Sequence, residues 1–103
     1  SLLVAENDFP RELNWNDANK ACRALGNGWR LPTKAELNVL YKNRRKIGRF
    51  MDNFYWSSTE LPNENNDNLT PANAWSQNLY NGYSRYGDFS KDNSNKIRAV
   101  RFL

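Results

Sequence analysis

Asparagine accounts for 17 of the 103 residues, and this abundance limits how much regular structure the chain can form. Asn side chains compete for backbone hydrogen bonds, so they weaken helices and strands and favour helix caps and turns. The 39% of apolar and 14% of aromatic residues are nevertheless typical of a folded domain rather than of a disordered tail or a coiled coil. We therefore expect one domain, residues 1–103, with short elements and long loops.

The chain contains no histidine and a single cysteine, Cys22, which removes several classes of chemistry. His-based triads, an internal disulfide and Cys-paired zinc sites are all excluded. We expect no enzymatic activity, no cofactor and no metal. The alternative is a carboxylate cluster of Glu60, Glu64 and Asp67, which could ligate calcium or supply the acid and base of a hydrolase.

The net charge of +4 favours acidic partners without naming one. The one basic cluster (Lys42, Arg44, Arg45, Lys46 and Arg49) is typical of a solvated helix end, and we expect no nucleic-acid partner. No apolar run is long enough to span a bilayer, so we expect no direct membrane insertion. Because the chain opens with Ser1 rather than Met, we expect it to be a piece of a longer protein.

Two amphipathic helices are predicted in the first half of the chain. The first covers residues 14–25, with Asn14 as its cap, Gly26 after its end and Cys22 as a buried, inert thiol on its apolar side. The second begins at Thr33, because Thr33 and Glu36 have the spacing of a capping box, and Gly48 marks the exit.

Short antiparallel strands are predicted in the second half. Residues 54–59 and 74–80 have the composition of strands, Asn81-Gly82 predicts a two-residue hairpin turn, residues 83–89 return, and residues 96–102 form a last strand. We expect Trp15 and Trp29 to pack between helices and sheet and Trp56 and Trp75 to lie in neighbouring strands. Arg98 and Arg101 are expected to pair with Glu36 or Glu60. Helices followed by such strands indicate an α+β domain.

Several motifs recur in an order that a known family shares. They are Trp15 with Ala18, Ala21 and Cys22, then Gly28 to Thr33, Glu36-Leu37, Leu40-Tyr41, Tyr55 to Glu60, Ala74-Trp75 and Ile97 to Arg101. The series resembles the bacterial family typified by the C-terminal domain of a collagen-like adhesin, a branch of the C-type lectin-like fold. The resemblance implies that the chain is the C-terminal part of a longer protein, displayed on a cell surface or a virion.

The same fold includes formylglycine-generating enzymes and the variable proteins of diversity-generating retroelements. The enzymes need a cysteine pair that this chain lacks. In the variable proteins, mutation of adenines can turn an Asn codon into a codon for any residue except Lys, Glu, Gln, Trp and Met. A segment diversified in this way lacks those five residue types, and residues 78–90 contain none of them. The resemblance therefore implies a variable, ligand-recognising segment at about residues 79–92. The alternative is an adhesin or glycan-binding domain of fixed specificity.

The residues of this segment are also those that dominate natural binding surfaces, where Tyr supplies contact area and Ser, Gly and Asn supply adaptable hydrogen bonds. Strand alternation places Tyr83, Arg85, Gly87 and Phe89 on one face, and neither face is cleanly apolar, which favours exposure. In the other interpretation the aromatic residues are core. We expect the candidate surface to bind an unknown protein or glycan. It comprises Leu79, Tyr80, Tyr83, Ser84, Arg85, Tyr86, Asp88, Phe89 and Asp92.

Overall fold

The computed structural model describes residues 1–60, 73–85 and 90–103. Within these residues the chain forms an α+β fold of short helices and antiparallel strands, which confirms the predicted class. The elements in chain order are β1 (Leu2–Val4), α1 (Trp15–Ala24), α2 (Lys34–Lys42), α3 (Arg44–Ile47), β2 (Phe54–Glu60), β3 (Ala74–Asn78), β4 (Ser84–Arg85) and β5 (Val100–Phe102). In the part of the chain described, no helix has the length and apolar character that a bilayer span requires.

Helix α1 begins and ends as the sequence predicts. The Asn14 side chain accepts a hydrogen bond from the Asp17 backbone N–H at 2.9 Å, which satisfies one of the N–H groups left without a partner in a first helical turn. Gly26 follows the helix with a φ of +72°, a left-handed conformation that glycine adopts without steric cost. The buried side of α1 carries Trp15, Ala18 and Cys22.

Helix α2 begins with the predicted capping box. Thr33 Oγ1 accepts from the Glu36 N–H at 3.1 Å, and Glu36 Oε1 accepts from the Thr33 N–H at 2.9 Å. Arg30 also binds Glu36, through two bonds of 2.6 and 2.9 Å. The predicted pairing of Glu36 with Arg98 or Arg101 is therefore wrong, because a neighbouring arginine already occupies both carboxylate oxygens.

The larger sheet has the order β2-β3-β4 and is antiparallel throughout. The β3–β4 hairpin is present as predicted, but its turn is longer. The Asn78 N–H donates to the Tyr83 carbonyl at 2.8 Å, so four residues, 79–82, make the connection instead of Asn81 and Gly82 alone. The predicted strand at 74–80 accordingly ends at Asn78.

The smaller sheet pairs β1 with β5, with Leu3 opposite Arg101. Strand β1 was not predicted from the sequence, and the predicted last strand at 96–102 shortens to Val100–Phe102. An isolated bridge between Tyr55 and Lys96 joins the segment before β5 to the larger sheet. The two ends of the chain, which pair as β1 and β5, are therefore connected to the sheet that contains the β3–β4 hairpin.

Two clusters of buried side chains form the core. The first contains Trp15, Cys22 and Trp56 and lies against α1, whereas the second contains Leu37, Leu40, Tyr55, Leu79 and Val100 and lies against α2. Trp29 only borders the first cluster and stays partly exposed. The most deeply buried tryptophan is Trp56, whose Nε1 donates to the Leu13 carbonyl at 2.9 Å.

Arg98 is buried and connects three distant segments. Its Nε donates to Asp8 Oδ1 at 2.7 Å, and its Nη2 donates to the Arg49 carbonyl at 2.7 Å. Tyr55 donates its hydroxyl proton to the other oxygen of Asp8. Arg98 therefore pairs with Asp8 rather than with Glu36 or Glu60, while Arg101 lies over the Trp29 ring.

Candidate ligand-binding surface

The turn of the β3–β4 hairpin is built from asparagine side chains. Asn78 Oδ1 accepts from the backbone N–H of Tyr80 at 2.8 Å and from that of Asn81 at 3.3 Å. Asn81 Oδ1 accepts from the Tyr83 N–H at 2.9 Å. These backbone N–H groups have no partner in the sheet, so the Asn side chains supply their acceptors. Asn side chains commonly play this part in turns. These bonds also restrict the conformation of the turn.

Gly82 holds this turn against helix α2. Its φ is +80°, and a Cβ placed on it would lie 2.6 Å from a ring carbon of Tyr41. A Cβ at that distance would force the Tyr41 ring to move, and the positive φ also favours glycine at this position. The turn is thus seated on α2 by direct contact.

Two tyrosines project from this braced turn into solvent. Tyr80 is 64% exposed and Tyr83 is 63% exposed. The Tyr83 ring also meets the Phe54 ring edge to face, with 6.3 Å between their centroids. Such a contact orients an aromatic side chain at the surface without burying it. Tyr80 and Tyr83 are thus exposed as the sequence analysis expected, and they are not core residues.

Arg85 lies on the same face as Tyr83, as strand alternation predicts. Its guanidinium carbon stands 3.6 Å from the centroid of the Phe54 ring, and its Nη2 donates to Asn95 Oδ1 at 3.0 Å. Stacking and hydrogen bonding together restrict the position of the guanidinium. Phe54 is therefore shared by Tyr83 and Arg85. Ser84 faces the other side of the strand, toward Lys34, Ala35 and Asn38 of α2. We define the hairpin surface as Phe54, Tyr80, Tyr83 and Arg85.

A cavity of about 370 Å³ adjoins the hairpin surface beneath Tyr80. Its walls include three residues of the basic cluster, Arg44, Arg45 and Arg49, and the carboxylate of Asp52. Arg44 is already engaged, since its guanidinium carbon lies 4.3 Å from the Tyr41 ring centroid. The basic cluster thus borders the aromatic surface and gives this side of the domain a positive charge.

The family is identified over nearly the whole length of this fold. The sequence model of the Lcl C-terminal domain family matches residues 5–101, which include both helical caps, the hairpin and all but the last residue of β5. The chain belongs to the Lcl C-terminal domain family. This match confirms the C-terminal domain family indicated by the order of the sequence motifs. No curated protein sequence matches the chain.

In this Lcl C-terminal domain, one predicted surface residue belongs to the core. Leu79 is 1% exposed and packs in the cluster of Leu37 and Leu40. The prediction that it contributes to an exposed surface is therefore wrong, because the hairpin turn directs this side chain toward α2. Asp92 is exposed in a turn where Ser90 Oγ accepts its backbone N–H. Tyr86, Asp88 and Phe89 lie outside the described residues.

Two residues of the site were missed by sequence reasoning. Phe54 was assigned only to a strand, and Asn95 received no role. The approach of Phe54 to Tyr83 and Arg85 depends on the pairing of β2 with β3, and the bond from Arg85 to Asn95 joins β4 to a later loop. No local signal identifies either contact. A pairing of Phe54 with the hairpin could be inferred only once the strand register was known.

Of the residues considered for chemistry or metal binding, the structure describes Cys22 and Glu60. Burial raises the pKa of the Cys22 thiol to about 12, so the nucleophilic thiolate is scarce at neutral pH. Glu60 accepts a bond of 2.8 Å from Lys91, whose ammonium also lies 4.1 Å from the Trp15 ring centroid. Glu64 and Asp67 lie outside the described residues. Within residues 1–60, 73–85 and 90–103, no three His, Cys, Asp or Glu side chains gather as a metal site would require.

Proposed function

We propose that this domain is a non-catalytic, ligand-binding module of the adhesin type, which recognises a protein or glycan on a cell surface through the hairpin surface. The observation that carries the proposal is the pair of exposed rings, Tyr80 and Tyr83, on a turn that Asn78, Asn81 and Gly82 hold in one conformation. Membership of the Lcl C-terminal domain family is compatible with this role.

The energetics of recognition favour this surface as a binding site. A tyrosine has few rotatable bonds, so it contributes a large contact area at a small cost in conformational entropy. A turn that is already ordered reduces that cost further. Arg85, stacked on Phe54, adds a charged group of fixed position. Tyrosine and arginine are also the residue types that most often supply the binding energy of protein interfaces.

The absence of catalysis is part of the proposal. Its support is the buried Cys22 thiol with a raised pKa and the capture of Glu60 by Lys91, which together leave the candidate nucleophile and one candidate acid without a catalytic setting. A C-type lectin-like arrangement of the fold is proposed on the order of the sequence motifs. Such a scaffold would use the core for stability and the hairpin surface for recognition.

Diversification by a retroelement is the second candidate, and the absence of the five excluded residue types from residues 78–90 favours it. Several positions in that segment nevertheless have structural duties. Leu79 fills the core, Gly82 contacts Tyr41, and Asn78 and Asn81 bond the turn. A fixed specificity fits these constraints better. A reverse transcriptase gene beside a near-copy of this coding segment that differs at adenines would instead support diversification.

The proposal is tested by binding of the labelled domain to arrayed extracellular-matrix proteins and glycans and to intact cells. The double variant Tyr80→Ala/Tyr83→Ala is compared with Val39→Ala/Met51→Ala, which also removes two exposed apolar side chains. We expect the tyrosine variant to lose at least about tenfold in affinity, or about 1.4 kcal/mol, and the control to bind as the native domain does. Equal binding by both variants would refute the proposal.

A further inference from the structure

The chain contains two Asn-Gly dipeptides, Asn27-Gly28 and Asn81-Gly82, and the fold places them in different environments. In such a dipeptide the backbone nitrogen of the glycine can attack the side-chain amide of the asparagine, because glycine has no Cβ to hinder the approach. In a folded protein the attack also requires that the nitrogen and the amide can reach the reacting geometry. The two dipeptides differ in this respect.

The hairpin turn restrains the Asn81-Gly82 dipeptide. Asn81 Oδ1 accepts from the Tyr83 N–H at 2.9 Å. The Gly82 N–H, which must lose its proton for the attack, donates to the Asn78 carbonyl at 2.8 Å. The Tyr41 ring also lies close against Gly82 and restricts the movement of its backbone. Attack on the Asn81 amide therefore requires that the turn open first.

The Asn27-Gly28 dipeptide lacks these restraints. It follows the end of α1, and both of its residues are exposed. Among the residues that the structure describes, neither the Asn27 side chain nor the Gly28 N–H has a hydrogen-bond partner. A Cβ built on Gly28 would have no other atom within 4 Å. The attacking nitrogen and the amide that it attacks are thus free to approach each other in the folded domain.

Arg101 adds an electrostatic contribution at this free dipeptide. Its Nη1 donates to the backbone carbonyl of Asn27 at 3.3 Å. The nucleophile is the deprotonated Gly28 nitrogen, whose negative charge is shared with that carbonyl oxygen through the resonance of the peptide group. A guanidinium that donates to the oxygen stabilises the anion, because a hydrogen bond to a charged form favours that form. Arg101 therefore promotes the loss of the Gly28 proton.

We propose that Asn27 is a site of spontaneous deamidation in the folded domain, activated by Arg101. The deprotonated Gly28 nitrogen forms a bond to Asn27 Cγ, and the Cγ–Nδ2 bond breaks. Ammonia leaves with the proton that Gly28 has lost, and a cyclic imide remains. Water then opens the imide at either of its two carbonyl carbons and yields an aspartyl or an isoaspartyl residue. The product carries one more negative charge, and the inference is independent of the proposed ligand-binding function.

The two dipeptides can be compared within one sample. The full chain is incubated in mildly alkaline buffer, with and without concentrated urea, and peptide mapping by mass spectrometry measures the conversion of Asn27 and Asn81. We expect Asn27 to react at least about tenfold faster than Asn81 in the folded domain, a difference of about 1.4 kcal/mol in activation free energy. In urea the two rates should converge, because neither the turn nor the Arg101 contact remains.

The substitution Arg101→Gln tests the activation. It removes the guanidinium, so we expect the rate at Asn27 to fall several-fold in the folded domain and to stay the same in urea. Arg101→Lys keeps a cation at this position and should react faster than Arg101→Gln. Arg11→Gln makes the same change at an exposed arginine before the other end of α1 and should react as the native domain does. Urea unfolding verifies that each variant is folded during the incubation.

Three results would overturn the inference. The first is a folded domain in which Asn27 is not converted, or is converted no faster than Asn81. The second is a difference between the two asparagines that persists unchanged in urea, which would assign it to the neighbouring residues in the sequence rather than to the fold. The third is an equal rate at Asn27 in Arg101→Gln and Arg11→Gln, which would refute the activation by Arg101.

Discussion

At the scale of single residues, the buried Arg98 links the C-terminal part of the chain to two distant segments, residues 5–8 and residues 48–49. Its guanidinium bonds to the Asp8 carboxylate and to the backbone carbonyls of Ala5, Gly48 and Arg49, and it lies 4.1 Å from the Phe50 ring centroid. A buried cation is tolerated only when its charge and its donors are satisfied. Asp8 supplies the single negative charge of this network and also accepts from Tyr55.

We expect Asp8→Ala to destabilise the domain severely. The substitution leaves Arg98 buried without a counter-charge, and breaking a buried pair in this way costs about 3–5 kcal/mol. Urea unfolding measures the change. Glu6→Ala, which removes an exposed carboxylate from the same segment, should stay within about 0.5 kcal/mol of the native value. Similar losses in the two variants would contradict the role assigned to Asp8.

The Cys22 thiol should react with a thiol reagent only when the domain opens. It is fully buried, and its pKa is raised by burial, so both access and thiolate concentration are reduced in the folded state. The labelling rate should therefore fall to the rate of unfolding and become rapid in denaturant. Rapid labelling of the folded domain at neutral pH would show that the first core cluster is open to solvent.

The sequence identifies the residues whose roles are local. The caps at Asn14 and Thr33 follow from spacing within a single turn and are confirmed. The partner of Arg98, Asp8, lies 90 positions away in the chain. From the sequence alone, several carboxylates could equally well pair with Arg98. The wrong assignment to Glu36 or Glu60 arose because long-range ion pairs depend on how the elements pack.

At the scale of elements, the start of α2 makes stability depend on pH. The pKa of Glu36 is lowered by its hydrogen bonds from Arg30, while burial opposes the shift and the Thr33 N–H supports it. A carboxylate with a lowered pKa in the folded state stabilises the fold above its unfolded pKa, which is about 4.3. The stabilisation is lost as the pH falls through the lower, folded-state value.

We therefore expect Glu36→Gln to be less stable than the native domain at neutral pH and to approach it in acid. Glutamine can still accept from the Thr33 N–H, so the helix cap is retained while the charge is removed. Urea midpoints of both proteins between about pH 6 and pH 2.5 give the comparison. A stability difference that is constant across this range would show that Glu36 acts through its shape alone.

The hairpin and α2 should be coupled through Gly82. Gly82→Ala introduces both left-handed strain and a clash with Tyr41, whereas Gly26→Ala introduces only the strain, because nothing lies within 4 Å of its added Cβ. We expect Gly26→Ala to cost about 1 kcal/mol and Gly82→Ala clearly more by urea unfolding. Equal costs would mean that the turn does not rest on the Tyr41 ring.

Element types were easier to predict than element lengths. The Asn81-Gly82 signal correctly predicted a hairpin, but the turn begins at Leu79 because that side chain is buried between the hairpin and α2. Strand β1 was missed since it spans only Leu2–Val4 and has no alternating pattern. Its partner β5 is at the other end of the chain, so its existence depends on closure of the whole fold.

At the scale of the whole molecule, stability and recognition use different residues. The two core clusters connect α1, α2 and the sheets. Their largest fully buried member, Trp56, donates a hydrogen bond to the Leu13 carbonyl. Tyr80 and Tyr83 lie outside both clusters. The candidate surface was predicted from residue types that suit recognition, yet its exact members required the strand register and the position of Leu79.

The most direct test measures both ligand affinity and the free energy of unfolding for two variants, Tyr80→Ala/Tyr83→Ala and Trp56→Ala. We expect Tyr80→Ala/Tyr83→Ala to lose ligand binding while unfolding within about 1.5 kcal/mol of the native domain. Trp56→Ala should lose about 3–5 kcal/mol of stability. A tyrosine variant that loses as much stability as Trp56→Ala, or that keeps its full affinity, would contradict the separation of core and surface.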